Sequence, residues 1–279
     1  MTAKSQFEMR GQVILVTGAG SGIGRATALL AAKSGAKVAV ADVRRQEADA
    51  VVDTITEDGG KALAIYFDVR DLAGCTAEIQ RAESTLGPIE GLVASAGISR
   101  PIQAESIAPP QWDEVIDTNL KGLFFTVQDV GKRMISRCAG SIVCLASVTS
   151  FGGMAGRLTY TTSKYGVVGL TKSLAIEWGR HGVRVNAVAP GFVDTPLLKR
   201  NIPERYRTEV MLDRVPLGRL ASAEDIASSC MFLLSDAASY ITGSVITVDG
   251  GLTAGFFTRL RGADYASQSL LDQGVYSDD

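Results

Sequence analysis

The sequence predicts an α/β fold: a doubly wound, parallel, seven-stranded sheet with helices on both faces, built as one domain. Three observations predict it. Short apolar runs rich in Val, Ile and Ala alternate with longer helical patterns along the 279-residue chain. The runs are nearly continuous in apolar residues, as expected of strands covered on both sides. Helix-length segments separate successive runs, which is the connection parallel neighbours need.

The elements follow in order. Residues 13–17 (VILVT) form a strand by β-branched content, and 22–34 an alanine-rich helix. Residues 37–42 form the second strand and 44–57 a polar helix. Strands at 62–68 and 92–94 flank a helix at 72–86. A long helix covers 111–137, with an interruption expected near Asn119, because asparagine costs helix propensity. Then come a strand at 141–145, a helix at 158–178, a strand at 183–189, a helix at 223–234 and a last strand at 244–248. The domain is expected to span 1–252. Residues 253–279 read as an extension that orders on a partner, without lysine or arginine after Arg261.

Composition narrows the function. Net charge is -2, which gives no electrostatic case for nucleic acid or a membrane surface. No apolar run reaches the ~18 residues of a spanning helix. Cys75, Cys138, Cys144 and Cys230 form no CxxC pair, and His181 is the sole histidine, so no metal site is expected. Free thiols suit a cytoplasmic setting. His181 lies in a turn-like Gly-Arg-His-Gly stretch and reads as a solvated loop residue, against any Ser-His-Asp triad.

Thr17-Gly18-Ala19-Gly20-Ser21-Gly22-Ile23-Gly24 joins the first strand to the first helix. A pyrophosphate needs close backbone approach and the free N–H groups of a helix N-terminus, and both point to nucleotide binding here. Asp42 ends the second strand. A carboxylate there accepts from an adenosine ribose and repels a 2′-phosphate, favouring NAD over NADP, although Arg44 and Arg45 pull the other way. Asp68-Val69 reads either as an adenine contact or, at Asp68, as an N-cap before Leu72.

Tyr160 and Lys164 lie four apart in a predicted helix and so share a face. A cation beside a phenol favours the phenolate, which titrates near ~10 when free, and makes it usable in acid–base chemistry. Ser147 closes the fifth strand, at the sheet edge that carries the glycine-rich turn.

Thr17-Gly18-x3-Gly22-x-Gly24, Asp42, Asp68, Ala96-Gly97, Asn119, Ser147, Tyr160-x3-Lys164, Pro190-Gly191 with Thr195, and Asp249-Gly250-Gly251 occur in this order across residues 11–252. Together they resemble the short-chain dehydrogenase/reductase family, in its ordinary-length NAD(P)-dependent branch with a Rossmann-type fold. The resemblance implies that Tyr160 is the general acid/base, that Lys164 lowers its pKa and holds the nicotinamide ribose, that Ser147 holds the substrate oxygen, and that Asn119 anchors a proton-relaying water. It implies that Ser21, Ile23, Asp42, Asp68, Val69, Ala96, Val193 and Thr195 line the cofactor, beside Gly18, Gly22, Gly24, Gly97, Pro190 and the catalytic Tyr160 and Lys164. It also implies a homo-oligomer, a tetramer before a dimer. One departure stands out: relatives commonly carry Asn-Asn-Ala-Gly where this chain has Ala94-Ser95-Ala96-Gly97, so the turn lacks its bracing amides.

The substrate segment is expected at 195–220, closing over the site. Its Lys199, Arg200, Arg205, Arg207, Arg214 and Arg219, with Arg157 and Arg100 outside it, suggest a polar or anionic alcohol. The leading expectation is a secondary-alcohol dehydrogenase or carbonyl reductase acting on a small molecule. The rivals are an NADP(H)-dependent reductase, a non-catalytic dinucleotide sensor, and an enoyl reductase or dehydratase-like relative.

Overall fold

The computed structural model describes residues 6–255. The expected extension at 253–279 therefore lies almost wholly outside the described residues. Seven parallel strands make one sheet in the order β3-β2-β1-β4-β5-β6-β7, a Rossmann-type arrangement. They are β1 (Val13–Thr17), β2 (Lys37–Ala41), β3 (Lys61–Ile65), β4 (Ile89–Ala94), β5 (Gly140–Leu145), β6 (Val183–Pro190) and β7 (Val245–Val248).

Helices cover both faces. One face carries α3 (Leu72–Leu86), α5 (Leu123–Arg137) and α6 (Leu158–Gly179), packed around Leu15, Ile65, Leu92 and Ile142. The other carries α1 (Gly22–Lys33), α2 (Arg45–Glu57) and α9 (Ala223–Leu234), packed around Ile14, Val38, Val93 and Val143. Ile14 and Leu15 are adjacent yet serve opposite cores, which is the period-2 logic of a strand buried on both sides.

The strand expected at 92–94 begins earlier, at Ile89. Glu90 and Gly91 break the apolar run and hide the pairing. Glu90 accepts a hydrogen bond from the backbone N–H of Val13, and a Cβ at Gly91 would stand 2.5 Å from Ile14 Cδ1, so both residues answer to neighbours on β1. The long helix expected at 111–137 is divided. Helix α4 (Pro109–Ile116) passes into a π-turn at Asp117–Gly122 and then into α5. Within the π-turn, a Cβ on Gly122 would stand 2.6 Å from the carbonyl oxygen of Val69. Single π-turns of this kind collect at functional sites.

The segment between β6 and α9 holds α7 (Pro196–Asn201), α8 (Glu204–Tyr206), a π-turn at Arg207–Met211 and a 3-10 turn at Leu212–Arg214. No helix among the described residues is long and apolar enough to cross a membrane.

Candidate active site

The strand order reverses between β1 and β4, and ligands of such sheets bind outside the strand ends at that point. Gly18 has φ +64, and a Cβ on it would stand 2.8 Å from the Cα of Ala96. The turn after β4 is therefore pressed against the glycine-rich turn after β1. A Cβ on Gly24 would lie 2.2 Å from the Gly18 carbonyl oxygen, which lets α1 start tight against the turn. Ser21, the residue before α1, offers no side-chain cap, so the helix N-terminus presents free N–H groups to the cleft. These features fit a dinucleotide pyrophosphate.

The missing asparagines after β4 have a substitute that the sequence did not signal. Thr17 Oγ1 accepts from the backbone N–H of both Ser95 (3.1 Å) and Ala96 (3.2 Å). The brace comes from the neighbouring strand rather than from the turn itself.

Asp42 is 5% exposed and has several partners. Its Oδ2 accepts from Gly20 N at 2.9 Å, and its Oδ1 accepts from Arg44 N at 3.0 Å and Arg44 Nε at 3.3 Å. Arg44 also donates to Ser21 Oγ at 2.9 Å and pairs with Glu47 at 3.2 Å. The carboxylate thus fastens the turn at the adenosine end of the cleft while keeping lone pairs for a further donor. Asp68 sits on the same wall with Val69, Ala96 and Gly97. It does not cap α3: Asp71 does, accepting from Gly74 N. Asp68 forms an ion pair with Arg70, whose hydrogen bonds hold its carboxyl below the usual carboxylate range.

The cleft continues, through Ile23, Ser95, Gly97, Thr195 and Leu197, into a second cavity. Its lining includes Ser147, Tyr160, Lys164, Pro190 and Val193. Strand β5 delivers Ser147, whose Oγ accepts from Thr149 N at 3.2 Å. Helix α6 delivers Tyr160 and Lys164. Lys164 Nζ donates to the carbonyl of Leu145 at 2.7 Å and lies 5.6 Å from the centre of the Tyr160 ring. Burial brings the Lys164 ammonium down to about 8. Burial also raises the Tyr160 phenol, with the Ser147 hydrogen bond and the charge of Arg157 pulling it back. In the protein alone, then, Ser147 and Arg157 are the groups that ease Tyr160 ionisation.

Asn119 stands behind this pair, inside the π-turn and fully buried. Its Oδ1 accepts from Ile98 N at 2.8 Å, and its Nδ2 donates to Ile98 O at 2.9 Å and to Ser163 Oγ at 3.2 Å. Ser163 in turn donates to the Tyr160 carbonyl at 2.6 Å. Asn119 therefore bolts the loop after β4 to the helix that carries Tyr160. Thr195 caps α7 and packs toward Gly22.

The cations expected to attract substrate mostly point elsewhere. Lys199 pairs with Asp194, Arg205 with Glu209, and Arg219 with Asp225. Arg200 and Arg100 line the dinucleotide cleft, and Arg100 pairs with Glu114 at 2.7 Å. Arg157 alone of these lines the Tyr160 cavity. His181 sits at the start of β6, the end opposite the cleft. A dinucleotide cleft opening onto a Ser-Tyr-Lys cavity defines a nicotinamide-dependent oxidoreductase by class.

Residues 18–253 match the family model described as enoyl-(acyl carrier protein) reductase. The 3-oxoacyl-[acyl-carrier-protein] reductase of Thermotoga maritima is 41% identical over 246 residues, covering 88% of this chain and 99% of that protein. The D-threitol dehydrogenase of Mycolicibacterium smegmatis is 39% identical over 247 residues, covering 88% and 95%. A crystal structure of a gluconate 5-dehydrogenase from Burkholderia cenocepacia, in complex with NADP and tartrate, aligns with TM-score 0.86 at 31% identity, covering 90% and 98%. The chain belongs to the short-chain dehydrogenase/reductase family and is an NAD(P)-dependent oxidoreductase of alcohols and carbonyls.

Proposed function

We propose that this enzyme interconverts a small, polar secondary alcohol and its ketone, with NAD as the preferred carrier. The observation that carries the reading is the joint position of Ser147, Tyr160 and Lys164 in one cavity that opens onto the dinucleotide cleft. When bound, the nicotinamide supplies hydride acceptance or donation. The chain supplies everything else. Ser147 Oγ holds the substrate oxygen, and the Tyr160 hydroxyl takes or returns its proton. Lys164, fastened to Leu145, stands ready to hold the nicotinamide ribose. Asn119 keeps the Tyr160 helix in register; with both amide hydrogens spent, any water it anchors must use an oxygen. Gly18, Ser21, Gly22, Ile23, Gly24, Ala96, Gly97, Pro190, Val193 and Thr195 shape the dinucleotide path.

Asp42 supports NAD, since a 2′-phosphate would meet its buried carboxylate. NADP is the second reading, favoured by the gluconate 5-dehydrogenase structure that contains it. The named activities of the relatives, on threitol and a 3-oxoacyl group, bracket the substrate between polyols and acyl carbonyls. A screen of NAD reduction across sugars, polyols, hydroxy acids and hydrophobic alcohols tests the reading, with the best compound repeated using NADP. Turnover only with hydrophobic alcohols, or only with NADP, would refute it.

The segment 195–220 acts as the lid, and the 1–252 unit as the catalytic domain. The assembly is a homotetramer. Leu158, Tyr165 and Ile176 are exposed at 46%, 48% and 83% on one stripe of α6, an apolar face that a second copy would cover. Light scattering of the purified protein checks the count.

A further inference from the structure

Arg157 is 6% exposed, yet no carboxylate pairs with it among the described residues. Its two hydrogen bonds, 3.2 Å each, go to neutral oxygens: Ser99 Oγ and the carbonyl of Asn201. A guanidinium carries five N–H donors, so most of its capacity is unspent. Burial pushes its pKa down, against the opposing influence of the Tyr160 phenol. A buried cation without a counter-ion is unfavourable unless something binds it.

Among the described residues, the cavity around it contains no such counter-ion. No Asp or Glu stands among its described lining residues, and its two cations are Lys164 and Arg157. Lys164 is already bound to Leu145 O. The remaining walls are largely apolar, with Met154, Leu197, Leu198, Ile202 and Met211. Apolar walls strengthen any ion contact made inside them.

We propose that Arg157 binds a carboxylate of the substrate, so that the enzyme acts on a small hydroxy acid or its keto form. The proposal rests on the reading of Ser147 and Tyr160 as the reacting end. Arg157 is the residue before α6, three before Tyr160, and the two line one cavity close enough for the charge of each to act on the other. The carboxylate and the reacting oxygen are therefore separated by a few bonds, not by a long chain. The planar fork of a guanidinium matches a carboxylate with two parallel bonds. Asn201 belongs to α7, so the lid segment already meets the anion site through its own carbonyl.

The test uses the NAD-saturated protein and three matched pairs: gluconate with glucitol, cis-4-hydroxycyclohexanecarboxylate with cis-4-(hydroxymethyl)cyclohexanol, and 3-hydroxybutyrate with 1,3-butanediol. Calorimetric titration reads binding without requiring turnover, and steady-state rates are measured beside it. At least one carboxylate is expected to bind roughly tenfold or more tightly than its neutral partner, the scale of a charge-assisted hydrogen bond. In the titrations, Arg157→Gln should weaken carboxylate binding about tenfold more than binding of the neutral partner, and Arg157→Lys should restore part of that difference. Equal or weaker carboxylate binding in all three pairs overturns the proposal. So does an equal loss for both members of a pair in Arg157→Gln, which would make Arg157 a structural tie to Asn201. The underlying reading fails separately, if Tyr160→Phe turns over its best substrate at the wild-type rate.

Discussion

Lys164 Nζ and the carbonyl oxygen of Leu145 lie 2.7 Å apart in a buried hydrogen bond. The contact joins the helix that carries Tyr160 to the strand that ends two residues before Ser147. A second contact repeats the tie, because Ser150 Oγ donates to the Lys164 carbonyl at 2.8 Å. Tyr160 and Ser147, the proposed proton-transfer and substrate-holding groups, are thus set on two elements locked together at one residue.

The ammonium of Lys164 is buried, and its pKa falls from an ordinary 10.5 to about 8. The unfolded chain therefore binds more protons than the folded one between about pH 8 and 10.5, and this residue adds stability as pH rises through that window. Lys164→Met removes the dependence. The variant's midpoint of unfolding, minus that of the wild type, should be most favourable near pH 7 and decline toward pH 10. On the proposed reading, turnover should fall about 100-fold or more at every pH, because the ammonium that would hold the nicotinamide ribose is gone. A midpoint difference that does not vary with pH would exclude a buried charge at this position.

Tyr160 should ionise above its ordinary value in the protein without cofactor, since burial is the largest influence on it. Ser147→Ala removes the hydrogen bond that opposes burial and should move the transition further up. Arg157→Gln should do the same by removing a nearby positive charge. Ultraviolet titration of the phenolate, with Tyr160→Phe as the blank, reads all three. A downward movement in either variant would contradict the assignment of the opposing groups. Tyr160→Phe itself is expected to lower kcat/KM by about 100- to 10,000-fold while leaving NAD affinity nearly intact.

Asp42 fastens the glycine-rich turn and, on the proposed reading, repels a 2′-phosphate, two effects that substitution can separate. Asp42→Ala removes the acceptor of Gly20 N and the repulsion toward a 2′-phosphate. The ratio of kcat/KM for NADP over NAD should rise about tenfold or more, and stability should drop by about 1–2 kcal/mol from the lost buried hydrogen bonds. Asp42→Asn keeps one acceptor oxygen and should recover part of the stability while retaining most of the specificity change. Kinetics with both cofactors, paired with denaturant unfolding, separates the two effects.

How much of this was legible beforehand depended on how local the signal was. Apolar runs such as VILVT announced their strands, because both faces of the sheet are covered and no alternation interrupts them. The start of β4 was hidden by Glu90 and Gly91, whose reasons for being there lie across the sheet in Val13 and Ile14. The order and spacing of Gly18 to Gly24, Ser147, Tyr160 and Lys164 were readable, since each serves a short-range geometric need. Thr17 as a brace for Ala96 was not readable, because the bond crosses 79 positions of sequence. Charge counting at 195–220 misjudged direction: a run of cations says nothing of which carboxylates wait beside them. Only folding shows Arg157 to face the Tyr160 cavity with no carboxylate beside it among the described residues.

Asn119 offers the sharpest separation of positioning from chemistry. Its amide makes three hydrogen bonds, all buried or part-buried, to Ile98 and Ser163. Asn119→Leu leaves the Ile98 N–H and carbonyl unpaired and should cost about 2–6 kcal/mol of stability, at roughly 1–3 kcal/mol for each unsatisfied group. Asn119→Asp retains the acceptor for Ile98 N but withdraws both donors, so it places a carboxylate opposite the Ile98 carbonyl. It should be at least as damaging at pH 7 and recover as pH falls, because protonation of the new carboxyl returns one donor. If Asn119 acts by holding the Tyr160 helix in place, kcat should fall in both variants in step with the loosening of the Ile98 loop, read by amide hydrogen exchange. A variant that keeps Ile98 protected while losing turnover would instead assign Asn119 a direct part in moving the proton.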